Sequence, residues 1–553
     1  MNFSKGISRR NFIYKMSLAT GGLAASFHTY SWLTQSSFVE AKTAYGKVRG
    51  ASMEGVNIFK GIPYAGKVSG NRRFKRPADL KPWTGVRDAL EFGPPSIQPP
   101  RRGEPTPAED CLFLNVWTPA NDNKKRPVMF YSHGGGFVIG SGASPGQDGS
   151  NLARNFDVVV VETNHRLGLL GFLYLGELAG EEYAESGNMG VLDITAGLKW
   201  VNENIAEFGG DPDNVMIFGE SGGGAKTSCL YAMPEAAPYF NKASIESGPG
   251  VRMNSLGIAA ATTEMVLKEL NISKNNWEKL LEVPAMELHA VQSKMPFVPP
   301  FLEKRAGRIT EPKAGGFGPV IDGIVLPNHP FDPTPPPFSK DKPLMVGWNE
   351  DEYTFFAWEQ RDADAFKIDF DGLKQRLERQ FGDDTQTIID TYRKTRPEAS
   401  APDILVAVNS IVMMGLGSIE IAEKKAKEDG APVYLYNFGY KSDMKIPGTD
   451  YEMGTPHAMD ISFKFNNEVP PKAGEQPRMG FGGSKPTRYE ASHKMAELWT
   501  TFAKTAKPAA EDVPKWPEFT LEDRATMRID ENCEVIKDRY WEEVKMWKSI
   551  GRL

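Results

Sequence analysis

Short, almost uninterrupted apolar runs recur along the first half of the chain and predict buried strands. Residues 126–132, 158–163 and 215–218 are nearly all apolar, which is typical of parallel strands covered on both faces. Residues 188–207 instead repeat apolar positions with a helical period. This alternation favours an α/β architecture with a mainly parallel sheet. Further strand-like runs lie at 45–50, 56–64, 113–117 and 344–346.

Two longer segments, residues 253–312 and 364–430, have a mostly helical pattern. They are expected to be helical insertions placed on the sheet. No linker after Lys42 is long enough to separate independent domains. The pattern therefore predicts one domain over residues 42–553.

The N-terminus has the layout of an export signal. Residues 8–13 (SRRNFI) contain a twin arginine, and a weakly apolar stretch follows at about 16–27. A charged region before a short apolar region is typical of a signal peptide, and the arginine pair indicates the twin-arginine route. We predict a signal over residues 1–41, cleaved near Ala41, and a periplasmic or secreted protein. The apolar stretch is too short to span a bilayer, so no integral membrane span is expected in the mature chain.

Composition and charge exclude several other classes of function. The chain has 553 residues and a net charge of -6 without a long basic run, which argues against a nucleic-acid partner. Its three cysteines are too few for a disulfide framework and show no metal-ligand spacing. We therefore expect neither a metal nor an organic cofactor.

A G-x-S-x-G motif suggests a nucleophile. Residues 219–223 (GESGG) follow the predicted strand 215–218 and precede a helix-like run. This is the context of a nucleophile elbow, in which a sharp turn exposes the serine hydroxyl. By itself the motif also fits an ordinary glycine-rich turn. Ser221 is nevertheless the candidate nucleophile.

A second glycine run supplies candidate oxyanion donors. Residues 132–137 (SHGGGF) follow another predicted strand, and glycines there leave backbone N–H groups free to face a developing negative charge. Gly135, Gly136 and Gly222 are the candidates, each worth about 3 kcal/mol in a transition state. A phosphate-binding loop would end in G-K-[ST], which is absent here.

The base and the acid are less well determined by pattern. In proteins that carry a nucleophile elbow, the acid and the histidine follow the serine along the chain. Four histidines follow Ser221: His289, His329, His457 and His493. His457 lies in a loop before an apolar stretch, whereas His493 lies in a helix-like run where a solvated side chain is the expected state. Residues 349–352 (NEDE) place three carboxylates after the strand 344–346; the alternative is a solvated acidic loop.

Beyond these motifs the sequence resembles the type-B carboxylesterases, the family of cholinesterases and bacterial para-nitrobenzyl esterases. The resemblance implies the α/β-hydrolase fold: a central, mostly parallel sheet, helices on both faces and large helical insertions. It implies Ser221 as nucleophile, Glu352 as acid, His457 as base, and oxyanion donors at Gly135, Gly136 and Gly222. The matching segments are 109–116, 132–137, 164–168, 208–215, 219–224, 347–352, 454–457 and 499–504.

Some positions depart from that family. Cys111 has no upstream partner for the family's early disulfide, and His165 replaces the usual tyrosine. No tryptophan lies between Pro94 and Glu109, so a choline ester is not the expected substrate, because a quaternary ammonium needs an aromatic face. Five aromatic residues are candidates for an apolar pocket, with ordinary core packing as the alternative for each: Trp117, Phe137, Trp348, Phe355 and Phe356.

The resemblance implies hydrolysis of a small-molecule carboxylic ester, small to medium in size and apolar or aromatic, through an acyl-enzyme. Cleavage of an amide or carbamate, or acyl transfer, would use the same groups. A non-catalytic binding protein is the alternative from another class. Against that alternative, Ser221, Glu352 and His457 are all present.

Overall fold

A sheet of thirteen strands organises the computed structural model, which describes residues 37–296, 303–310, 313–471 and 480–553. Its strands are β1 (Ser37–Thr43), β2 (Gly46–Met53), β3 (Val56–Pro63), β4 (Val86–Asp88), β5 (Phe113–Thr118), β6 (Arg126–Ser132), β7 (Val159–Thr163), β8 (Gly210–Glu220) and β9 (Lys242–Glu246), continuing below. A separate hairpin comprises β10 (Glu303–Arg305) and β11 (Arg308–Thr310). The sheet continues with β12 (Leu344–Asn349) and β13 (Val433–Phe438). After the small pair β14 (Ser442–Lys445) and β15 (Glu452–Gly454), it ends with β16 (Thr526–Ile529) and β17 (Glu534–Ile536).

The middle of the sheet is parallel, and the outer strands pair antiparallel except for β4, which runs parallel to β2. The strand order is β1-β2-β3-β5-β7-β6-β8-β9-β12-β13-β16-β17, and β4 pairs with β2. Pairing is parallel from β7 through β16. Because parallel strands end at the same edge, the loops after β6, β8 and β12 meet there. These are the loops that carry the predicted oxyanion, nucleophile and acid residues.

Helices cover both faces of the sheet. They are α1 (Ser150–Phe156), α2 (Gly168–Phe172), α3 (Gly176–Ala179), α4 (Met189–Asn204), α5 (Gly222–Ala232), α6 (Leu256–Glu269), α7 (Ala285–Gln292), α8 (Glu352–Glu359), α9 (Phe370–Phe381), α10 (Thr385–Thr395), α11 (Ala401–Ser410), α12 (Leu416–Ala426), α13 (Met459–Lys464), α14 (Thr487–Thr505) and α15 (Trp541–Ser549). A π-helical turn, Ile411–Gly415, joins α11 to α12.

The apolar runs of the sequence divide between two cores. In β6, Val128 and Phe130 pack with α4 and α5, whereas Met129 and Tyr131 pack on the other face with α1 and α14. Successive side chains of a strand point to opposite faces, so a strand covered on both sides must be apolar throughout. The expected α/β-hydrolase architecture is confirmed. A third core holds the helical insertion α8–α12 together.

One segment differs from its sequence-based prediction, and another prediction lies mostly outside the described residues. The segment 253–312 is helical only as far as α7, and residues 303–310 form the β10–β11 hairpin, because Ala306 and Gly307 both adopt positive φ and turn the chain back. Residues 1–36 of the predicted signal lie outside the described residues. Residues 37–41 belong to β1 and pair with β2, so the cleavage site and the export route stay predictions.

One helical stretch, Ala401–Ala426, is long and apolar enough to cross a membrane by length and composition alone. Most of its apolar window is buried inside the described fold.

Beside the sheet, the buried ion pair of Arg166 and Asp193 joins the loop after β7 to α4. The guanidinium and the backbone N–H of Arg166 all donate to the Asp193 carboxylate, at 2.7–3.0 Å. Both side chains are almost fully buried. Arg166→Met is expected to lower the free energy of unfolding by about 3–5 kcal/mol, because it leaves a buried carboxylate without its counter-ion.

Urea unfolding of Arg166→Met and of Lys537→Ala would check this expectation. Lys537 forms a solvent-exposed pair with Asp523, and the loss of such a pair costs about 1 kcal/mol or less. Equal losses in the two variants would contradict the expectation.

Candidate active site

Ser221 lies at the sharp turn between β8 and α5. Its φ and ψ are 58° and -123°, a conformation that costs a residue other than glycine about 1–3 kcal/mol. Glycines allow the surrounding backbone to come close: a Cβ on Gly223 would lie 2.0 Å from the carbonyl oxygen of Ser132. The strained turn therefore depends on the glycines of the motif, as expected for a nucleophile elbow.

His457 and Glu352 extend from Ser221 in a chain of hydrogen bonds. His457 Nε2 lies 2.8 Å from Ser221 Oγ, and His457 Nδ1 lies 2.5 Å from Glu352 Oε2. The other oxygen of Glu352 accepts the N–H of Asn349 at 2.8 Å. Both His457 and Glu352 are buried. A hydroxyl, an imidazole and a carboxylate are thus in the order that moves a proton away from a serine.

The glycine run after β6 lies beside the serine. A Cβ on Gly222 would lie 2.6 Å from the backbone nitrogen of Gly136. Gly135 and Gly136 have φ values of 94° and 58°. Among the described residues, no hydrogen bond uses the N–H of Gly135, Gly136 or Gly222. The structure therefore brings the three predicted oxyanion donors together, each with its N–H free.

The three acidic residues after β12 make different contacts. Glu350 pairs with Lys441 and Arg539. The Asp351 carboxylate accepts the backbone N–H of Thr455 at 2.8 Å, and the backbone N–H of Asp351 donates to the carbonyl of Thr455 at 3.1 Å. Asp351 therefore fastens the loop that carries the histidine. Glu352 is the carboxylate that contacts the imidazole.

The floor of the site contains further buried charges that the sequence reasoning missed. Glu220 Oε1 lies 3.3 Å from His457 Nε2. Lys464 pairs with Asp460 at 2.9 Å and with Glu246, and all three side chains are buried. The available signal was a lysine within the apolar stretch 461–465, since a lysine in such a position needs a buried partner.

These charges set the protonation of the site. Burial alone would lower the pKa of His457, but the carboxylates of Glu220 and Glu352 outweigh it and raise that pKa above its usual value. Burial also raises the pKa of Glu220. The imidazole must be neutral to accept a proton, so activity should increase with pH through the titration of His457.

Glu220→Gln is expected to shift the acidic limb of kcat/KM to lower pH. The substitution removes a negative charge that stabilises the imidazolium, so His457 loses its proton at lower pH. Profiles of kcat/KM between about pH 5 and 10 for the wild type and the variant would measure the shift. A limb that stays in place or moves to higher pH would contradict the role assigned to this carboxylate.

Two of the five candidate pocket aromatics lie at the histidine. The ring of Phe356 is 4.8 Å from that of His457, and the ring of Phe355 is 5.7 Å away. Phe355 continues the aromatic surface toward Trp358 and Phe481. Core packing accounts for the other three: Trp117, Phe137 and Trp348.

The other histidines after the serine lie elsewhere, as the sequence favours. His493 is exposed on α14, His289 lies on α7, and the ring of His329 accepts the N–H of Met253. Over the described ranges, no group of three or more His, Cys, Asp or Glu residues is arranged to hold a metal ion. All three cysteines are free and buried.

The sequence matches the model of the carboxylesterase family over residues 35–547. It is 34 % identical to the para-nitrobenzyl esterase of Bacillus subtilis (strain 168), over 92 % of this chain and 98 % of that protein. It is 29 % identical to the phenmedipham hydrolase of Pseudarthrobacter oxydans, over 90 % of this chain and 96 % of that protein.

A comparison with solved structures gives the same family as the sequence comparisons. The carboxylesterase EST55 of Geobacillus stearothermophilus, in its structure at pH 6.2, superposes with a TM-score of 0.78 at 37 % identity. That match covers 92 % of this chain and 99 % of that one.

Proposed function

The chain belongs to the carboxylesterase family and is a carboxylic ester hydrolase, and we propose that it acts through an acyl-enzyme on Ser221. In this proposal His457 is the general base and acid, and Glu352 orients it. The N–H groups of Gly135, Gly136 and Gly222 bind the oxyanion. The substrates are small to medium esters with apolar or aromatic groups.

One observation carries the proposal: the hydrogen-bonded series Ser221–His457–Glu352 lies directly beside three N–H groups that have no partner among the described residues. The 2.8 Å contact between Ser221 Oγ and His457 Nε2 is within the distance that direct proton transfer requires. Nucleophile and oxyanion donors are adjacent because β6 and β8 are neighbouring parallel strands.

Acylation follows from this geometry. His457 Nε2 takes the proton of Ser221 as Oγ attacks the ester carbonyl. The carbonyl oxygen becomes an oxyanion held by the three N–H groups. The new imidazolium donates its Nδ1–H to Glu352. The carbon–oxygen bond to the alcohol then breaks, and His457 gives its proton to the departing alkoxide.

Deacylation repeats these steps with water. His457 removes a proton from the water as it attacks the acyl carbonyl, and the same N–H groups hold the second oxyanion. Collapse of this intermediate releases the carboxylic acid, and the proton returns from His457 to Ser221 Oγ. The charges balance within the site, and the steps need no group from outside the chain other than ester and water.

The aromatic side chains beside His457 support the substrate class. Phe355 and Phe356 are half-buried rings next to the imidazole. An aromatic acyl or alcohol group placed there would gain about 0.5–1.5 kcal/mol from ring contacts beyond its burial.

Phe355→Ala is expected to lower kcat/KM for p-nitrophenyl benzoate by about 2- to 12-fold more than for p-nitrophenyl acetate, from that ring-contact energy. The acetyl group carries no ring and the leaving group is the same in both esters, so the acetate ester serves as the internal reference. Phe370→Ala, which removes an exposed phenylalanine of α9, is the matched control. Equal losses for the two esters would argue against a subsite for an aromatic acyl group at Phe355.

Covalent labelling tests the proposal directly. A fluorophosphonate should attach to one residue, identified as Ser221 by peptide mass spectrometry, and should abolish hydrolysis of p-nitrophenyl esters in proportion to labelling. Hydrolysis that persists in fully labelled enzyme would overturn the proposal. Esters, carbamates and amides of the same acyl group, assayed in parallel, would establish which bond is preferred.

A further inference from the structure

Lys226 is a buried lysine that the mechanism does not use. It lies on α5, the helix that begins after Ser221, and its side chain is fully buried. Within the described part of the chain no carboxylate is paired with it. A lysine is almost never fully buried unless it is paired. Its position therefore calls for an explanation.

The ammonium of Lys226 contacts both ends of the predicted oxyanion loop. Nζ donates to the carbonyl oxygen of His133 at 2.9 Å. It also lies 5.5 Å from the centre of the Phe137 ring, within the range of a cation–π contact. These two residues flank Gly134, Gly135 and Gly136 on either side.

The contact with His133 fixes a particular peptide group. The His133 carbonyl and the Gly134 N–H belong to one planar unit, so holding the oxygen sets the direction in which the glycine run begins. Glycines do not restrict their own backbone angles, so external contacts must hold Gly135 and Gly136 at their positive φ values. The ring of His133 also stacks on the ring of His165, with their centres 4.5 Å apart.

We propose that Lys226 is a positioning residue, which holds the oxyanion loop in register with Ser221 by binding the carbonyl of His133. The inference rests on the proposed function and adds a residue to it. Because Ser221 directly precedes α5, the helix that carries Lys226, one helix and its N-terminal turn position both the nucleophile and its oxyanion donors. Burial disfavours the charged form of Lys226 and lowers its pKa to about 7. A lysine that carries this energetic penalty is expected where its hydrogen bond has a role, which here is to hold the oxyanion loop.

Lys226→Met removes the donor and keeps the volume. We expect kcat for p-nitrophenyl acetate to fall about 10- to 100-fold, because small displacements of catalytic groups have effects of that size. KM should change less than about 2-fold, since the oxyanion forms only after binding. The affinity for a trifluoromethyl ketone, whose adduct with Ser221 carries an oxyanion, should weaken in parallel with kcat.

Lys242→Met is the matched control. Lys242 is also a buried lysine, and it bonds to Asn214 and to the carbonyl of Ala503. It lies at the amino end of β9, whereas Ser221 follows the carboxyl end of the neighbouring parallel strand β8. Its loss should reduce thermal stability and leave kcat and ketone affinity within about 2-fold of wild type. Lys226→Leu, which also lacks a donor, replaces Lys226→Met if the methionine variant does not fold, and the same losses are expected.

The outcomes separate the two claims. If Lys226→Met or Lys226→Leu keeps wild-type kcat and ketone affinity while Ser221→Ala is inactive, the positioning role is overturned and the proposed function stands. If kcat falls but ketone affinity does not, Lys226 acts on another step and the inference also fails. If wild-type hydrolysis does not depend on Ser221, the proposed function itself fails.

Discussion

Ser221→Ala is expected to reduce kcat for p-nitrophenyl esters by about 10⁶-fold. The substitution removes the oxygen that attacks the carbonyl, and no other group in the mechanism replaces it. Alanine and serine tolerate the positive φ of this turn about equally, so the fold should persist. Circular dichroism and thermal unfolding would verify that the loss of activity is chemical.

Ser228→Ala is the control for that experiment. Ser228 lies on α5, the helix that follows Ser221, and is buried. Among the described residues its hydroxyl bonds only to backbone groups of Gly224 and Gly250. Its removal should leave kcat within about 10-fold of wild type, as expected for a group outside the reacting series. Activity retained in Ser221→Ala, or lost equally in both variants, would contradict the assignment of the nucleophile.

Glu352→Gln is expected to lower kcat by about 10⁴-fold near neutral pH. The carboxylate accepts the Nδ1–H of His457 with one oxygen and the N–H of Asn349 with the other. A glutamine has only one acceptor oxygen for these two donors. If its NH₂ faces Nδ1, the histidine carries its proton on Nε2 and can no longer accept one from Ser221. Steady-state kinetics at several pH values would measure the loss.

Glu350→Gln discriminates between neighbouring carboxylates. Glu350 contacts cations away from the imidazole, so its variant should lose stability and keep kcat within about 10-fold of wild type. A loss in Glu350→Gln as large as in Glu352→Gln would mean that the electrostatics of the whole acidic segment matter, rather than one hydrogen bond.

The charges beneath the histidine explain why the site needs more than three side chains. Glu352 and Glu220 both favour the protonated imidazole, which helps the oxyanion step but delays deprotonation in the free enzyme. Lys464, in contact with Asp460 and Glu246, supplies a positive charge on the floor. A buried cluster of carboxylates without a cation would be costly.

Local sequence signals predicted those parts of the fold that are determined by residues close together in the chain. The apolar runs at 126–132 and 215–218 predicted buried parallel strands, and both are confirmed as parts of β6 and β8. The hairpin at residues 303–310 was missed because its turn depends on two backbone angles rather than on periodicity. The twin-arginine segment remains a prediction from residues 8–13 alone.

By itself the sequence determined the fold class, the family resemblance and the candidates Ser221 and Gly135, because strand patterns and glycine turns are encoded within a few residues. The family resemblance already implied Glu352 as the acid, and the tertiary structure shows it in contact with His457. Only the tertiary structure shows that Glu220, Lys226 and Lys464 lie beside the site. Those contacts join residues about a hundred or more positions apart in the chain. Their partners are fixed by the parallel packing of β6, β8 and β12, which no local pattern records.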